Sequence, residues 1–192
     1  MTSIQRSTAL LAVDVQRDFL PGGSLAVRDG DAVVAPLSGT ASHAQVVVAT
    51  RDFHPPHHIS FFDRGGPWPV HCVAGSPGAE LHPEVDRIAD LIVSKGTDPD
   101  VEAYSGFDGT GLATILRALG IDTVLVGGLA TDYCVCATAI AAQSFGFTTI
   151  VIAEAIRAVD VKPGDGEQAL QTMRDAGVRV LSFADLGGVA AS

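Results

Sequence analysis

Basic residues and cysteines are scarce in this chain of 192 residues. It carries 12 Lys and Arg against 22 Asp and Glu, a formal net charge of −10, with no basic cluster, which argues against nucleic acid or an anionic membrane as a partner. Its three cysteines, an odd number, do not make a disulfide framework and fit a reducing, cytoplasmic location. No apolar run is long enough to cross a bilayer, and the N-terminal stretch lacks the h-region and cleavage site of a signal peptide.

Apolar residues, in contrast, are plentiful at 47%, enough for a sizeable core. The 21 glycines and 10 prolines are an ordinary share, and no period of 20–50 residues recurs, so low complexity and repeats are excluded. We therefore expect one domain over residues 1–192.

Short apolar runs alternate with helix-like segments along the chain. Several runs are rich in Val and Ile and apolar on both faces, as parallel strands between helices are. The helix that follows the fourth run is expected to have Thr131 or Asp132 as its N-cap. The alternation predicts an α/β fold, a doubly wound, mostly parallel six-stranded sheet with helices on both faces. The six expected strands are residues 8–15, 45–50, 90–95, 122–128, 147–154 and 178–183.

Polar residues stand at the carboxyl ends of four of these strands, where open α/β sheets bind their ligands. They are Asp14, Asp52, Lys95 and Cys134. A thiol at a helix N-terminus is favoured as thiolate, an aspartate nearby can accept its proton, and a lysine stabilises both anions. Each has an ordinary alternative: a strand-end turn residue, a solvated lysine or a packed cysteine. Asp14, Lys95 and Cys134 together predict a nucleophilic site.

A long stretch at about residues 51–84 breaks the alternation and is rich in Pro, Gly, His and aromatics. A loop of this length is usually functional. Asp52 and His54 are two residues apart, so both side chains point one way in an extended segment, and His57, His58 and His71 follow. One carboxylate with two or three imidazoles suits Zn²⁺, Fe²⁺ or Mn²⁺; the alternative is a polar histidine-rich loop.

Aromatic residues border these polar groups. Phe19, Trp68 and Tyr104 predict a flat apolar pocket for a small heteroaromatic ligand, although each could equally pack a loop.

The motifs that carry these residues resemble those of the nicotinamidase/pyrazinamidase family of isochorismatase-like cysteine hydrolases. The resemblance implies Cys134 as nucleophile, Asp14 as acid and base, and Lys95 as their partner. It further implies a cis peptide bond before Ala130, which would aim the N–H groups of Ala130 and Cys134 at an oxyanion. The matching stretches are "VDVQRDFLPGGSLAV", "ATRDFHPPHHISF", "GGPWPVHCVAGSPGAELHP", "SKGTDPDVEAYSGFDGT" and "VLVGGLATDYCVCATA".

The resemblance also assigns the ligands of one divalent metal ion, with zinc as the first choice and Fe²⁺ or Mn²⁺ as alternatives. Asp52, His54 and His71 match the family's ligands, and His58 matches a histidine that some members use. Because His57 precedes it, the choice between those two stays open. Phe19, Trp68 and Tyr104 match positions that line the family's substrate pocket.

The expected function is hydrolysis of nicotinamide to nicotinate and ammonia through a cysteine thioester, with deamination of pyrazinamide, as part of NAD salvage. One alternative is a related cysteine amidohydrolase that acts on a carbamoyl or ureido amide. Another is a metal-binding regulatory module that has lost catalysis. The expected partner is the small-molecule substrate, and uncovered apolar helix faces would permit a homo-oligomer.

Overall fold

All strands lie parallel in one sheet with the order β3-β2-β1-β4-β5-β6. The computed structural model describes residues 7–186; residues 1–6 and 187–192 of the expected domain lie outside the described residues. The predicted doubly wound fold is confirmed, and every strand pairing is parallel rather than most of them. The strands are β1 (Thr8–Val13), β2 (Val46–Asp52), β3 (Leu91–Lys95), β4 (Thr123–Leu129), β5 (Thr148–Arg157) and β6 (Arg179–Leu181).

Helices cover both faces of this sheet. On one face Leu10 and Ala12 of β1 pack in a cluster with residues of α1 and α2. On the other face Leu11 and Val13 pack with residues of α3, α4 and α5. This division follows from the alternation of side chains along a strand. The helices are α1 (Val34–Ala41), α2 (Pro83–Ile88), α3 (Leu112–Ala118), α4 (Cys136–Ser144) and α5 (Asp165–Asp175).

The long stretch at 51–84 is folded against the sheet edge rather than extended into solvent. It contains 3-10 turns at Phe62–Arg64 and Pro77–Ala79, and single bridges join His54 to Val73 and Phe61 to Trp68. His54, His58 and His71 are thereby held together near the end of β2. Among residues 7–186, no helix combines the length and apolar character that a membrane span requires.

Candidate active site

Four polar side chains meet at the carboxyl edge of the sheet. Asp14 directly follows β1, Asp52 ends β2, Lys95 ends β3, and Cys134 lies just beyond β4. Since β3, β2, β1 and β4 are neighbours in that order, their ends deliver these residues to one place, although 120 positions of the sequence separate the first from the last. The structure thus brings together the residues that the sequence placed at strand ends.

Lys95 stands at the centre of this cluster. Its Nζ lies 2.9 Å from Oδ2 of Asp14, contacts Oδ1 of Asp52, and lies 3.4 Å from Sγ of Cys134. It also donates a hydrogen bond of 3.1 Å to the carbonyl of Ala103. Burial alone would lower the pKa of Lys95, but the charges of Asp14 and Asp52 outweigh burial and raise it well above its ordinary value. The lysine is therefore a fixed buried cation, stabilised by two carboxylates.

The pKa values of the two carboxylates, Asp14 and Asp52, are shifted in opposite directions. Burial acts to raise the pKa of Asp52, yet the adjacent charge of Lys95 prevails and the pKa is lowered. For Asp14 burial prevails over Lys95, and the negative charge of Asp52 adds to it, so the pKa is raised. Thr50 Oγ1 donates to Asp14 Oδ1 at 2.6 Å, which partly opposes that rise. Asp14 is thus the stronger base of the pair.

The thiol of Cys134 is buried beside these groups. Burial raises its pKa well above the ordinary value; Lys95 opposes the rise and Asp14 adds to it. The sequence-based expectation that the helix end favours a thiolate is therefore wrong, because loss of hydration outweighs the nearby positive charge. Apart from its ion pair with Lys95, Asp14 Oδ2 accepts no hydrogen bond within residues 7–186. It is available to accept the thiol proton.

The turn that carries Cys134 differs from the expected helix start. A π-helical turn, Thr131–Val135, precedes α4, and its N-cap is Ala130, with no side-chain cap. The predicted caps Thr131 and Asp132 are therefore wrong, because the helical turn begins earlier. The carboxylate of Asp132 instead accepts hydrogen bonds from the backbone of Val159 at 2.9 Å and Asp160 at 2.8 Å. The peptide bond between Leu129 and Ala130 is cis, as the resemblance implied.

A second cluster, suited to a metal ion, adjoins the first. One donor atom each from Asp52, His54 and His71 lies within 4.8 Å of the others, and all three residues are buried. Each histidine directs Nδ1 to a backbone carbonyl: His54 to Gly96 at 2.9 Å and His71 to Pro69 at 2.8 Å. These bonds leave both Nε2 atoms free as ligands, the arrangement typical of metal-binding histidines. The donor set therefore fits a divalent first-row ion.

His58 lies next to this cluster but is engaged elsewhere. Its ring stacks on that of His54 with centroids 4.1 Å apart. Its Nδ1 accepts from the backbone N–H of Ser60 at 3.2 Å, so its Nε2 donates to the carbonyl of Val101 at 3.1 Å. His57 is exposed and lies 3.4 Å from Asp63. The structure thus brings three of the four predicted ligands together, and His58 lies beside them.

A pocket opens onto both clusters. Trp68 donates to the hydroxyl of Tyr104 at 3.1 Å, and the ring of Tyr133 stands edge-on to Trp68 at 4.9 Å. Sequence reasoning missed Tyr133, although its position next to Cys134 could have indicated it. The lining residues are Phe19, Leu25, Val27, Asp52, Trp68, His71, Tyr104, Leu129, Ala130, Tyr133, Cys134 and Val159. All three predicted aromatics are among them.

A buried thiol beside a carboxylate and a lysine, at the carboxyl edge of a doubly wound sheet, is the architecture of an α/β cysteine hydrolase. Residues 8–185 match the isochorismatase domain. The chain therefore belongs to the isochorismatase family.

Individual relatives are similar over most of their length. A nicotinamidase of Acinetobacter baylyi is 41% identical over 197 residues, which cover 91% of this chain and 92% of the relative. A nicotinamidase/pyrazinamidase of Mycobacterium tuberculosis is 42% identical over 185 residues, 90% of this chain and 97% of the relative. The crystal structure of the pyrazinamidase of Pyrococcus horikoshii in complex with zinc superposes with a TM-score of 0.86 at 46% identity, covering 92% of this chain and 99% of that one.

Proposed function

We propose that this protein is a nicotinamidase, which hydrolyses nicotinamide to nicotinate and ammonia and deaminates pyrazinamide by the same route. The observation that carries the proposal is the pocket itself: its aromatic walls lead to Cys134 on one side and to Asp52 and His71 on the other. A pyridine carboxamide has matching parts, a flat apolar ring, an amide to meet the thiol and a ring nitrogen to face a metal ion. Nicotinate released by this reaction would serve NAD salvage.

Asp14 and Cys134 carry the proposed proton transfers and bond changes. Asp14 takes the thiol proton as Sγ attacks the amide carbon and forms the S–C bond. The N–H groups of Ala130 and Cys134 stabilise the oxyanion, an effect of about 3 kcal/mol per donor. Asp14 then gives its proton to the amine as the C–N bond breaks and ammonia leaves. Water, deprotonated by Asp14, cleaves the thioester and returns the thiol.

Lys95 supports both steps without changing its own protonation. Its charge is held by Asp52, and its Nζ lies between Asp14 Oδ2 at 2.9 Å and Cys134 Sγ at 3.4 Å. It therefore stabilises whichever of the two carries the negative charge as the proton moves between them.

Asp52, His54 and His71 would hold the metal ion. We place zinc first because the similar pyrazinamidase of P. horikoshii was crystallised with zinc, while the oxygen and nitrogen donors also suit Fe²⁺ and Mn²⁺. When bound, the ion supplies a positive site for the ring nitrogen, directly or through water. His58 would join as a further ligand only after leaving the carbonyl of Val101, 3.1 Å from its Nε2.

The test is ammonia release from nicotinamide, pyrazinamide and a set of acyclic carbamoyl and ureido amides. The protein is assayed as purified, after chelation, and after addition of Zn²⁺, Fe²⁺ or Mn²⁺. We expect turnover of the two ring amides, loss on chelation and recovery with metal. Preferred turnover of the acyclic amides would instead support the related amidohydrolase, and no turnover under any condition would support a regulatory module.

A further inference from the structure

The side chain of Gln16 hydrogen-bonds to the backbone of Asp52, the residue that belongs to both clusters of the site. We propose that Gln16 is a positioning residue that fixes Asp52 relative to Asp14 and thereby sets both metal affinity and turnover rate. The claim about turnover rests on the proposed function; the claim about metal affinity does not.

The Gln16 side chain forms two hydrogen bonds with the backbone of Asp52. Its Nε2 donates to the Asp52 carbonyl at 2.8 Å, and its Oε1 accepts from the Asp52 N–H at 2.7 Å. The same Nε2 donates to the carbonyl of Ala79 at 3.0 Å. The residue is 0% exposed, so water cannot replace these bonds.

The end of β1 explains why a side chain is needed here. The pairing of β1 with β2 ends at Val13 and Thr50, because Asp14 turns out of the strand with a φ of 49°. On its other side Asp52 remains paired with Lys95 of β3. Gln16 therefore supplies to Asp52 the donor and the acceptor that a longer β1 would have offered.

The position of Asp52 affects both clusters at once. Its Oδ1 contacts Lys95, while its Oδ2 lies 3.6 Å from Nε2 of His54. Gln16 also donates its own backbone N–H to the carbonyl of Asp14 at 2.9 Å, so a single residue contacts both aspartates. Loss of its amide would let Asp52 shift, which loosens the metal ligands and displaces Lys95 from Asp14. Groups that hold metal ligands commonly change affinity or activity by about 10–100-fold when replaced.

The experiment replaces Gln16 by Met, which has similar length but no amide, and separately by Asn, which keeps the amide but is one methylene group shorter. Zn²⁺ dissociation constants are measured by competition with a chromophoric chelator, and kcat and KM for nicotinamide are measured with Zn²⁺ in excess. We expect the dissociation constant to rise by about 10–100-fold in both variants. We also expect kcat to fall by more than KM changes. Asn, which is smaller and uncharged, keeps the test open should the Met variant fail to fold.

Thr149→Val is the matched control for lost stability alone. Thr149 is also buried, and its hydroxyl donates to the carbonyl of Phe147 at 3.1 Å, away from the site. Urea unfolding ranks the variants by stability, and the control should keep its zinc affinity. The proposal is overturned if folded Gln16 variants bind zinc as tightly as the original chain, or if Thr149→Val weakens zinc equally. Should the original chain fail to hydrolyse nicotinamide, the zinc constants still test the positioning of Asp52.

Discussion

The ammonium nitrogen of Lys95 lies 3.4 Å from the sulfur of Cys134, and both side chains are buried. Even so, burial keeps the pKa of the thiol raised. The resting sulfur is therefore neutral, and in the proposed mechanism Lys95 acts on the charge that develops once Asp14 removes the proton.

Cys134→Ala should lower kcat for nicotinamide by roughly six orders of magnitude, since loss of a nucleophile leaves only binding and oxyanion stabilisation. The fold should persist because alanine fits within the space of cysteine. Ammonia release measures the first effect and urea unfolding the second. The control is Cys136→Ala. The Sγ of Cys136 lies 3.9 Å from the carbonyl of Ala169, and its loss should leave turnover intact. Near-normal turnover by the Cys134 variant refutes the nucleophile assignment.

Thr50→Val should move the acid limb of kcat/KM to higher pH. Asp14 must be ionised to accept the thiol proton, so the rate rises with pH through its pKa, which burial already raises. The Thr50 hydroxyl favours the ionised form, and removing it raises the pKa of Asp14 further. The measurement is a pH–rate profile beside that of Thr40→Val, which loses a 2.8 Å bond to the carbonyl of Pro36 in α1. An unmoved limb, or a shift to lower pH, counts against Asp14 as the base.

Asp132→Asn should raise KM for nicotinamide with a smaller change in kcat. The Asp132 carboxylate holds the backbone of Val159 and Asp160, and Val159 lines the pocket. The amide would turn a donor toward one of those N–H groups, at a cost of about 1–3 kcal/mol. Steady-state kinetics and urea unfolding check both effects. The control is Asp90→Asn, which disturbs a 2.8 Å bond to the N–H of Val47 at the amino ends of β2 and β3 and should change neither KM nor kcat. An unchanged KM in Asp132→Asn would show that these hydrogen bonds do not shape the pocket.

Trp68→Ala should raise KM for nicotinamide by about 10-fold, the effect of losing about 1.4 kcal/mol of binding. Trp68→Phe keeps a ring against Tyr133 but loses the hydrogen bond to Tyr104, so its effect should be smaller. Phe62→Ala is the control: Phe62 pairs with the backbone of Trp68, but its side chain is 63% exposed. Equal KM values for all three variants and the original chain would show that Trp68 does not contribute to binding nicotinamide.

The sequence determined the sheet and the composition of the site. Apolar runs at the observed strands and helix-like segments between them specify a parallel sheet, and the ends of parallel strands meet whatever their separation along the chain. For that reason the sequence alone groups Asp14, Asp52, Lys95 and Cys134. The pair Asp52 and His54 could be grouped because extended backbone sends alternate side chains to one face.

Contacts between segments that are distant in sequence decided the features of the site that the sequence did not predict. Three features depend on groups remote in sequence. They are the contact of His58 with Val101 instead of a metal ion, the hydrogen bonds of Asp132 to the next loop instead of its own helix, and the dominance of burial over Lys95 in the pKa of Cys134. In the sequence Gln16 is one more polar residue after a strand. Its role becomes evident only in the structure, where β1 ends before β2 does. Local propensity carries no information about such contacts, because solvent exclusion and hydrogen-bond partners exist only once the chain has folded.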